Sequence, residues 1–258
     1  MMEEIIKHKS FWDLYAPIYD ENRRHEEYLR NTNLNILKTY FRPGQTLIEI
    51  GCGTGIEAKE MIKHGCKVVL TDVSFEMLKV AKTKVGSNAQ VINLPAEYID
   101  SFKIKFDGAY SSFGVINCMT NVSSFFQKLH SILKPGSLFI ASFINRWYWG
   151  DFLFFLFGIT NYLKKRLNGW GHITLNGKEY DVIARFYSLN DIKRFSKSYF
   201  VIKKVYALPF LLPPAYLKPQ ERLPEKLFKL LQKLENLINH RFPFNYLGER
   251  IIVIFERI

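Results

Sequence analysis

The nine residues Leu47-Ile48-Glu49-Ile50-Gly51-Cys52-Gly53-Thr54-Gly55 constrain this chain more than any others. An apolar-dominated run ends in three glycines at alternate positions, and a helix-like segment, Ile56 to His64, follows at once. The pattern reads as a strand, a tight turn and a helix start. Glycine removes side chains where a backbone must turn sharply and let a ligand approach. The free N–H groups at the helix start face whatever lies above the strand end, and a nucleotide-like ligand suits that place. Spacing narrows the choice. A dinucleotide fingerprint reads G-x-G-x-x-G, and a P-loop reads G-x-x-x-x-G-K-[ST]. Here the spacing is G-x-G-x-G, no lysine follows the last glycine, and Glu49 stands two residues before the first. A carboxylate at that place suits a cation, which a phosphate-binding lysine would repel.

These residues resemble motif I of the class I S-adenosylmethionine (SAM) dependent methyltransferases, whose ligand has a sulfonium and an ammonium group and no phosphate. The resemblance implies a SAM site that includes Glu49, Gly51, Cys52, Gly53 and Gly55. The next segment, Lys67 to Asp72, reads as a second buried strand that ends in a carboxylate 21 residues after Gly51. An acidic residue about 20 residues beyond the glycine turn takes ribose hydroxyls in nucleotide-binding α/β units. Ser74 then occupies an N-cap-like position before a helix. By resemblance, Asp72 holds the ribose, and Val73 and Met77 lie near the adenine.

Many family members carry Asp-Ala-Glu after the third strand, but this chain has Pro95-Ala96-Glu97. Adenine recognition then falls to the backbone at Ala96 and Glu97, or to the Glu97 side chain. Phe106 to Asn117 resembles the fourth strand and its terminal loop. Ligands of open α/β sheets sit outside the carboxyl ends of the strands. Ser112 and Phe113 are therefore expected at the methionine end of SAM, and Asn117 beside the acceptor. Phe113 also reads as ordinary core. A helix from Val122 to Leu133, a Lys134-Pro135-Gly136 turn and an apolar strand, Ser137 to Phe143, continue the family's order.

Ahead of this core, Tyr15-Ala16-Pro17-Ile18-Tyr19-Asp20 resembles the cap of ubiquinone/menaquinone-type small-molecule methyltransferases, which folds over SAM. Tyr15 and Tyr19 would share one helix face and either line the site or simply pack. Behind the core, Arg146 to Trp170 is rich in aromatic residues, including Trp147, Tyr148 and Trp149, and ends near Lys164-Lys165-Arg166. It reads as a lid helix over the acceptor, as an interfacial helix with a basic flank, or as an extra core helix. The lid is favoured, since an insertion after strand five lies on the ligand side of the sheet. Arg146, Trp147 and Tyr148 are its acceptor-binding candidates.

Alternation on both sides of Asn176-Gly177 predicts a hairpin with a type I′ turn. His172 is the one histidine placed near the acceptor, as a candidate base, although an ordinary strand histidine is the commoner case. Leu227, Leu230, Leu231, Leu234 and Ile238 recur at helical spacing in a basic segment, expected mainly to pack on the core, with membrane-surface contact as the lesser reading.

The resemblance implies an α/β fold: a Rossmann-like seven-stranded mixed sheet of order 3-2-1-4-5-7-6 with helices on both faces. The chain divides into a helical cap (1–40), a SAM-binding core (41–145), a substrate-side insertion of aromatic helix and hairpin (146–188), and a C-terminal completion of the sheet (189–258). Net charge is +12, placed unevenly. Residues 1–145 hold 17 Lys and Arg against 15 Asp and Glu, whereas residues 146–258 hold 19 against 9. An anionic partner for the later half, or a plain lysine-rich surface, accounts for this. The three cysteines and six histidines show no metal-ligand spacing, so no metal is expected. Sparse cysteine and an acidic N-terminus with no apolar run behind it fit a cytoplasmic protein.

The expected function is methyl transfer from SAM, by in-line displacement, to a small-molecule or lipid-like acceptor, with S-adenosylhomocysteine (SAH) as product. Peripheral contact with an anionic membrane surface is a further expectation. A nucleic-acid (RNA) methyltransferase is the first rival. Ser112-Phe113-Gly114-Val115 lacks the Asn/Asp-Pro-Pro-aromatic loop of the amino-methylating enzymes. A non-catalytic SAM-fold binding protein is the second. Acceptor identity and oligomeric state are left open.

Overall fold

Short apolar runs alternating with amphipathic ones fold as strands alternating with helices. The structure, a computed structural model, describes residues 2–175 and 178–258. It begins with α1 (Met2–Tyr15), α2 (Tyr19–Asn22) and α3 (Glu27–Tyr40), separated by 3-10 turns at Ala16–Ile18 and Arg24–Glu26. The core contains β1 (Thr46–Ile50), α4 (Ile56–Lys63), β2 (Lys67–Asp72), α5 (Phe75–Val85), β3 (Gln90–Asn93), β4 (Phe106–Ser111), α6 (Val122–Ile132) and β5 (Leu133–Ile144). Next come α7 (Trp149–Leu156), α8 (Asn161–Asn168), β6 (Trp170–Leu175) and β7 (Lys178–Arg185). Then follow α9 (Leu189–Ser196), β8 (Phe200–Leu208), α10 (Pro219–Arg222), α11 (Glu225–Ile238) and β9 (Arg250–Arg257).

The main sheet has seven strands in the order β3-β2-β1-β4-β5-β9-β8. With β8 as its sixth strand and β9 as its seventh, this is the expected Rossmann-like order. Strands β1 to β5 pair in parallel, while β9 runs antiparallel between β5 and β8, with Ile254 opposite Ile140. Ile251 to Phe255 are all buried, as a strand covered on both faces requires. Alternation divides the core. Ile48, Val253 and Phe255 pack on one face with Phe126 and Phe139; Leu47, Ile252 and Ile254 pack on the other with Leu37 and Leu70. Both faces are thereby sealed, and the ends of β1, β2 and β4 are left to carry loops.

Two expectations change. The aromatic insert forms two eight-residue helices, not one, broken near Gly158, whose φ of +81° no helix accommodates. Leu227, Leu230 and Leu234 of α11 face outward, not onto the core. That helix packs instead through Phe228, Leu231 and Glu235, because the Glu235 carboxylate accepts the amides of Phe210, Leu211 and Leu212 at 2.5–2.9 Å and so fixes the helix's rotation. β6 and β7 pair as a hairpin set apart from the main sheet. Its expected Asn176-Gly177 turn lies outside the described residues.

Candidate active site

The turn after β1 is built by backbone conformation. Gly51, Gly53 and Gly55 have φ of +68°, +52° and +74°, values that L side chains resist. A Cβ at Gly51 would stand 2.5 Å from a Val115 methyl, and one at Gly55 would stand 2.9 Å from that of Ala81. A Cβ at Gly53 meets no protein atom within 4 Å, because the residue borders open space. That space is a cavity of about 240 Å³ above the strand ends.

Asp72, at the end of β2, lies against the turn. Its carboxylate accepts the Gly53 amide at 2.8 Å and the Ser74 amide at 2.8 Å. Burial pushes its pKa up to about 6, against the pull of those two amides. A buried carboxylate at that pKa is a charge awaiting donors. Val73, Met77, Leu94, Ala96 and Glu97 line the adjoining wall, and burial raises the Glu97 carboxyl as well. Ser112, Phe113, Gly114 and Val115 line the far wall. Phe113 adopts a φ of +60° and is flanked by the Arg30 and Arg250 guanidinium groups, 4.5 and 5.4 Å from its ring centre. A non-glycine residue held in that region costs about 1–3 kcal/mol and clusters at functional sites.

The helical cap covers the cavity, and several of its ties go to residues of the site or its loops. Asp13 accepts the Ser74 hydroxyl at 2.6 Å, and Asp20 accepts the Thr54 hydroxyl at 2.6 Å. Arg30 donates to Glu57 at 2.6 Å and to the Tyr19 hydroxyl at 3.2 Å, and Asn33 donates to Ser112 at 3.0 Å. Ile5, His8 and Trp12 of α1 line the cavity, and Glu4 binds Arg185 of β7 at 3.1 Å. His8 is buried, and its Nδ1 has no hydrogen-bond partner among the described residues. Burial holds its pKa below the ordinary histidine value; Glu4 opposes this shift and Arg185 adds to it. Arg23 and Arg250 meet Glu26 at 2.6 and 3.5 Å. Burial disfavours the Glu26 charge, but these arginines hold its carboxyl below the usual range.

Ten of the expected cofactor residues line this cavity: Tyr19, Gly51, Gly53, Asp72, Val73, Met77, Ala96, Glu97, Ser112 and Phe113. Four do not. Tyr15 is buried against Phe11, Trp12 and Tyr19, because α1 ends there and a 3-10 turn carries the chain on to Tyr19. Glu49 is sealed beneath the turn with the Tyr110 hydroxyl at 3.3 Å; burial, and then Glu57, raise its carboxyl well above the ordinary range. Cys52 is buried, and Gly55 faces Ala81 of α5.

The acceptor candidates lie elsewhere. Asn117 spends its side chain on the backbone, donating to Ile144 and Arg185 carbonyls at 3.1 and 2.5 Å and accepting the Ile144 amide at 2.9 Å. Arg146 binds the Leu167 carbonyl at 3.0 Å and borders a separate hollow with Trp170 and Ile183. Trp147 is exposed, and Tyr148 is buried beside Arg166. No residue from 146 to 170 lines the cavity, so the aromatic helix is not its lid; α1 covers it instead. His172 packs edge-on to Trp170, also off the cavity. Strand alternation explains this: Ile173 and Ala184 face the cavity, which turns His172 and its partner Ile183 to the other side.

The site residues not anticipated include His8, Trp12, Arg23, Glu26, Leu94 and Arg250. Asp20 was visible within the cap segment, but nothing local marks His8.

A methyltransferase-domain family profile matches residues 48–141. Uncharacterized protein MJ1252 of Methanocaldococcus jannaschii is 30% identical over 192 residues, 72% of each chain. The ubiquinone biosynthesis O-methyltransferase of Histophilus somni is 27% identical over 148 residues, 54% of this chain and 60% of that one. In structure the chain resembles the DhpI–SAH complex, with a TM-score of 0.65 at 12% identity over 100% of this chain and 98% of that one. The seven-stranded fold, the glycine turn and these matches define one class. The chain belongs to the class I SAM-dependent methyltransferase family, whose cofactor is SAM. The bare glycine wall and the buried Asp72 carboxylate fit that cofactor.

Proposed function

We propose that this protein methylates a small, largely apolar acceptor that enters the cavity beneath α1, the acceptor being a small molecule or a lipid-like one. When bound, SAM supplies a methyl group on a sulfonium, which is transferred in line to the acceptor and leaves SAH. In this reading Asp72 accepts the ribose hydroxyls, and Gly51 and Gly53 let the cofactor lie against the backbone. Leu94, Ala96, Glu97, Val73 and Met77 hold the adenine, while Tyr19, Ser112 and Phe113 border the methionine end. Residues 1–40 act as a cap that excludes water, so that alignment in a dry site supplies much of the rate. The neutral His8 imidazole is the proton acceptor for an acceptor hydroxyl, in place of His172. Named O-methyltransferases among the relatives support oxygen as the acceptor atom. The reading also includes peripheral contact of the basic half (146–258) with an anionic membrane surface.

The observation that carries the proposal is the Asp72 carboxylate, buried beside the bare Gly53 backbone on the cavity wall. Calorimetry with SAH tests the cofactor site. Transfer of tritiated methyl from SAM to a panel of phenols, quinols and prenyl alcohols tests the acceptor class. Absence of SAH binding overturns the site; binding with transfer only to RNA overturns the acceptor.

A further inference from the structure

We infer that the α7–α8 tip is the element that docks on an anionic lipid surface, inserting α7 into one leaflet. The inference rests on the membrane contact proposed above and assigns it to particular residues. Helix α7, Trp149–Leu156, is apolar on every side but for Asp151, which is buried at its base in an ion pair with Arg166. A helix apolar all round is ordinarily buried. Here Phe152, Leu153, Phe155, Leu156 and Phe157 are exposed, Leu156 at 75% and Phe157 at 82%. The cavity does not use them.

The direction of these side chains selects the occupant. Successive helix residues point about 100° apart, so Phe155, Leu156 and Phe157 face three ways. A protein groove covers one face and leaves the others wet; a lipid phase covers all of them. The surrounding residues follow the order of a bilayer interface. Trp147, Tyr162 and Trp170 are exposed at the base, where amphipathic rings settle at headgroup depth. Arg146, Lys164 and Lys165 flank it, and Asp151 is the only acid between residues 146 and 178. At about 12 Å, an eight-residue helix reaches into one leaflet and no further. No helix among the described residues is long and apolar enough to cross a membrane.

The base is rigid. Arg166 bonds Asp151 and the Asn145 carbonyl, and its guanidinium lies over Tyr148 and Phe186. The Trp149 indole donates to the Phe210 carbonyl at 2.7 Å, while Glu235 of α11 holds the Phe210 amide. The outward Leu227, Leu230, Leu234 and Leu237 of α11, among Lys226, Lys229 and Lys233, are thus tied to the same segment.

The test is co-sedimentation with phosphatidylcholine vesicles containing about 30 mol% phosphatidylglycerol, beside calorimetric SAH binding in vesicle-free buffer. The expected result is binding that falls about tenfold or more in Leu156→Asp/Phe157→Asp, in pure phosphatidylcholine, and in about 0.5 M salt. SAH affinity and the melting temperature stay unchanged in the variant, since both side chains are exposed. Equal sedimentation of wild type and variant overturns the inference. So does a dimer, seen by light scattering, that the same substitutions dissociate. Loss of SAH binding alone counts against the cofactor site and leaves the vesicle result intact.

Discussion

The Asp72 carboxylate accepts the Gly53 amide at 2.8 Å, joining the end of β2 to the turn after β1 at the wall of the cavity. That single bond ties the residue proposed for the ribose to the backbone proposed to lie under it. Asp72→Asn removes the charge and turns an N–H toward one of the two amides. SAH affinity is expected to fall about tenfold to a hundredfold, the loss of a charge-assisted bond, as calorimetry would read.

The same carboxyl makes the ligand-free protein pH-sensitive. Burial raises its pKa to about 6, so the folded state binds this proton more tightly than the unfolded chain. Its contribution to stability is full below about pH 4 and is lost as pH rises through about 6, by about 3 kcal/mol at most. Denaturation of wild type and Asp72→Asn across that window should show the difference between them shifting in favour of Asp72→Asn as pH rises. A constant difference would refute the raised pKa.

Gly51→Ala places a methyl 2.5 Å from Val115 at a φ of +68°. Thermal melts should show a loss of about 1–3 kcal/mol, and SAH binding should weaken. Adding Val115→Ala removes both methyls but leaves the Cβ at 3.0 Å and the dihedral unchanged, so only partial recovery is expected.

Arg30 and Glu57 form a buried pair at 2.6 Å, with Arg30 also holding Tyr19 and covering Phe113. Arg30→Met leaves Glu57 buried without its partner, at a cost of about 3–5 kcal/mol. Replacing both, as Arg30→Met/Glu57→Gln, should restore much of the stability while SAH affinity stays low, because Tyr19 has lost its tether. Chemical denaturation and calorimetry separate the two effects.

His8 is expected to titrate below the ordinary histidine value of about 6.5. A depressed basic pKa means that the unfolded chain binds this proton more readily. Stability from this group is therefore present above about pH 6.5 and lost as pH falls below it. Ring carbon NMR would follow the titration, with His8→Gln assigning the signal among six histidines. Added SAH should shift that signal, whereas a resonance indifferent to SAH would remove His8 from the site.

How much was legible varies by residue. Gly51, Gly53 and Asp72 could be read because strand, turn and second strand lie within 26 residues, from Leu47 to Asp72, and local spacing reports their geometry. The sheet order was legible from element order and resemblance, and β9 declared itself by an unbroken apolar run. His172 was misplaced because alternation gives a strand's period but not its phase: Ile173 faces the cavity only because of how the hairpin meets α1. Asn117 was misread because its partners, Ile144 and Arg185, are remote in sequence.

By itself, then, the sequence determined a SAM-binding α/β core, through short-range backbone demands that only glycine and a strand-end carboxylate meet. Tertiary structure decided what covers that core and what stays outside. The cover is α1, held by Asp13 on Ser74 and Glu4 on Arg185. Phe155, Leu156 and Phe157 stay outside because Arg166 and Asp151 fix the base of their helix, and Leu227 and Leu230 because Glu235 turns α11 inward. The cap contacts join segments far apart in sequence, and all of these contacts depend on how side chains meet in the folded chain, which no backbone spacing encodes.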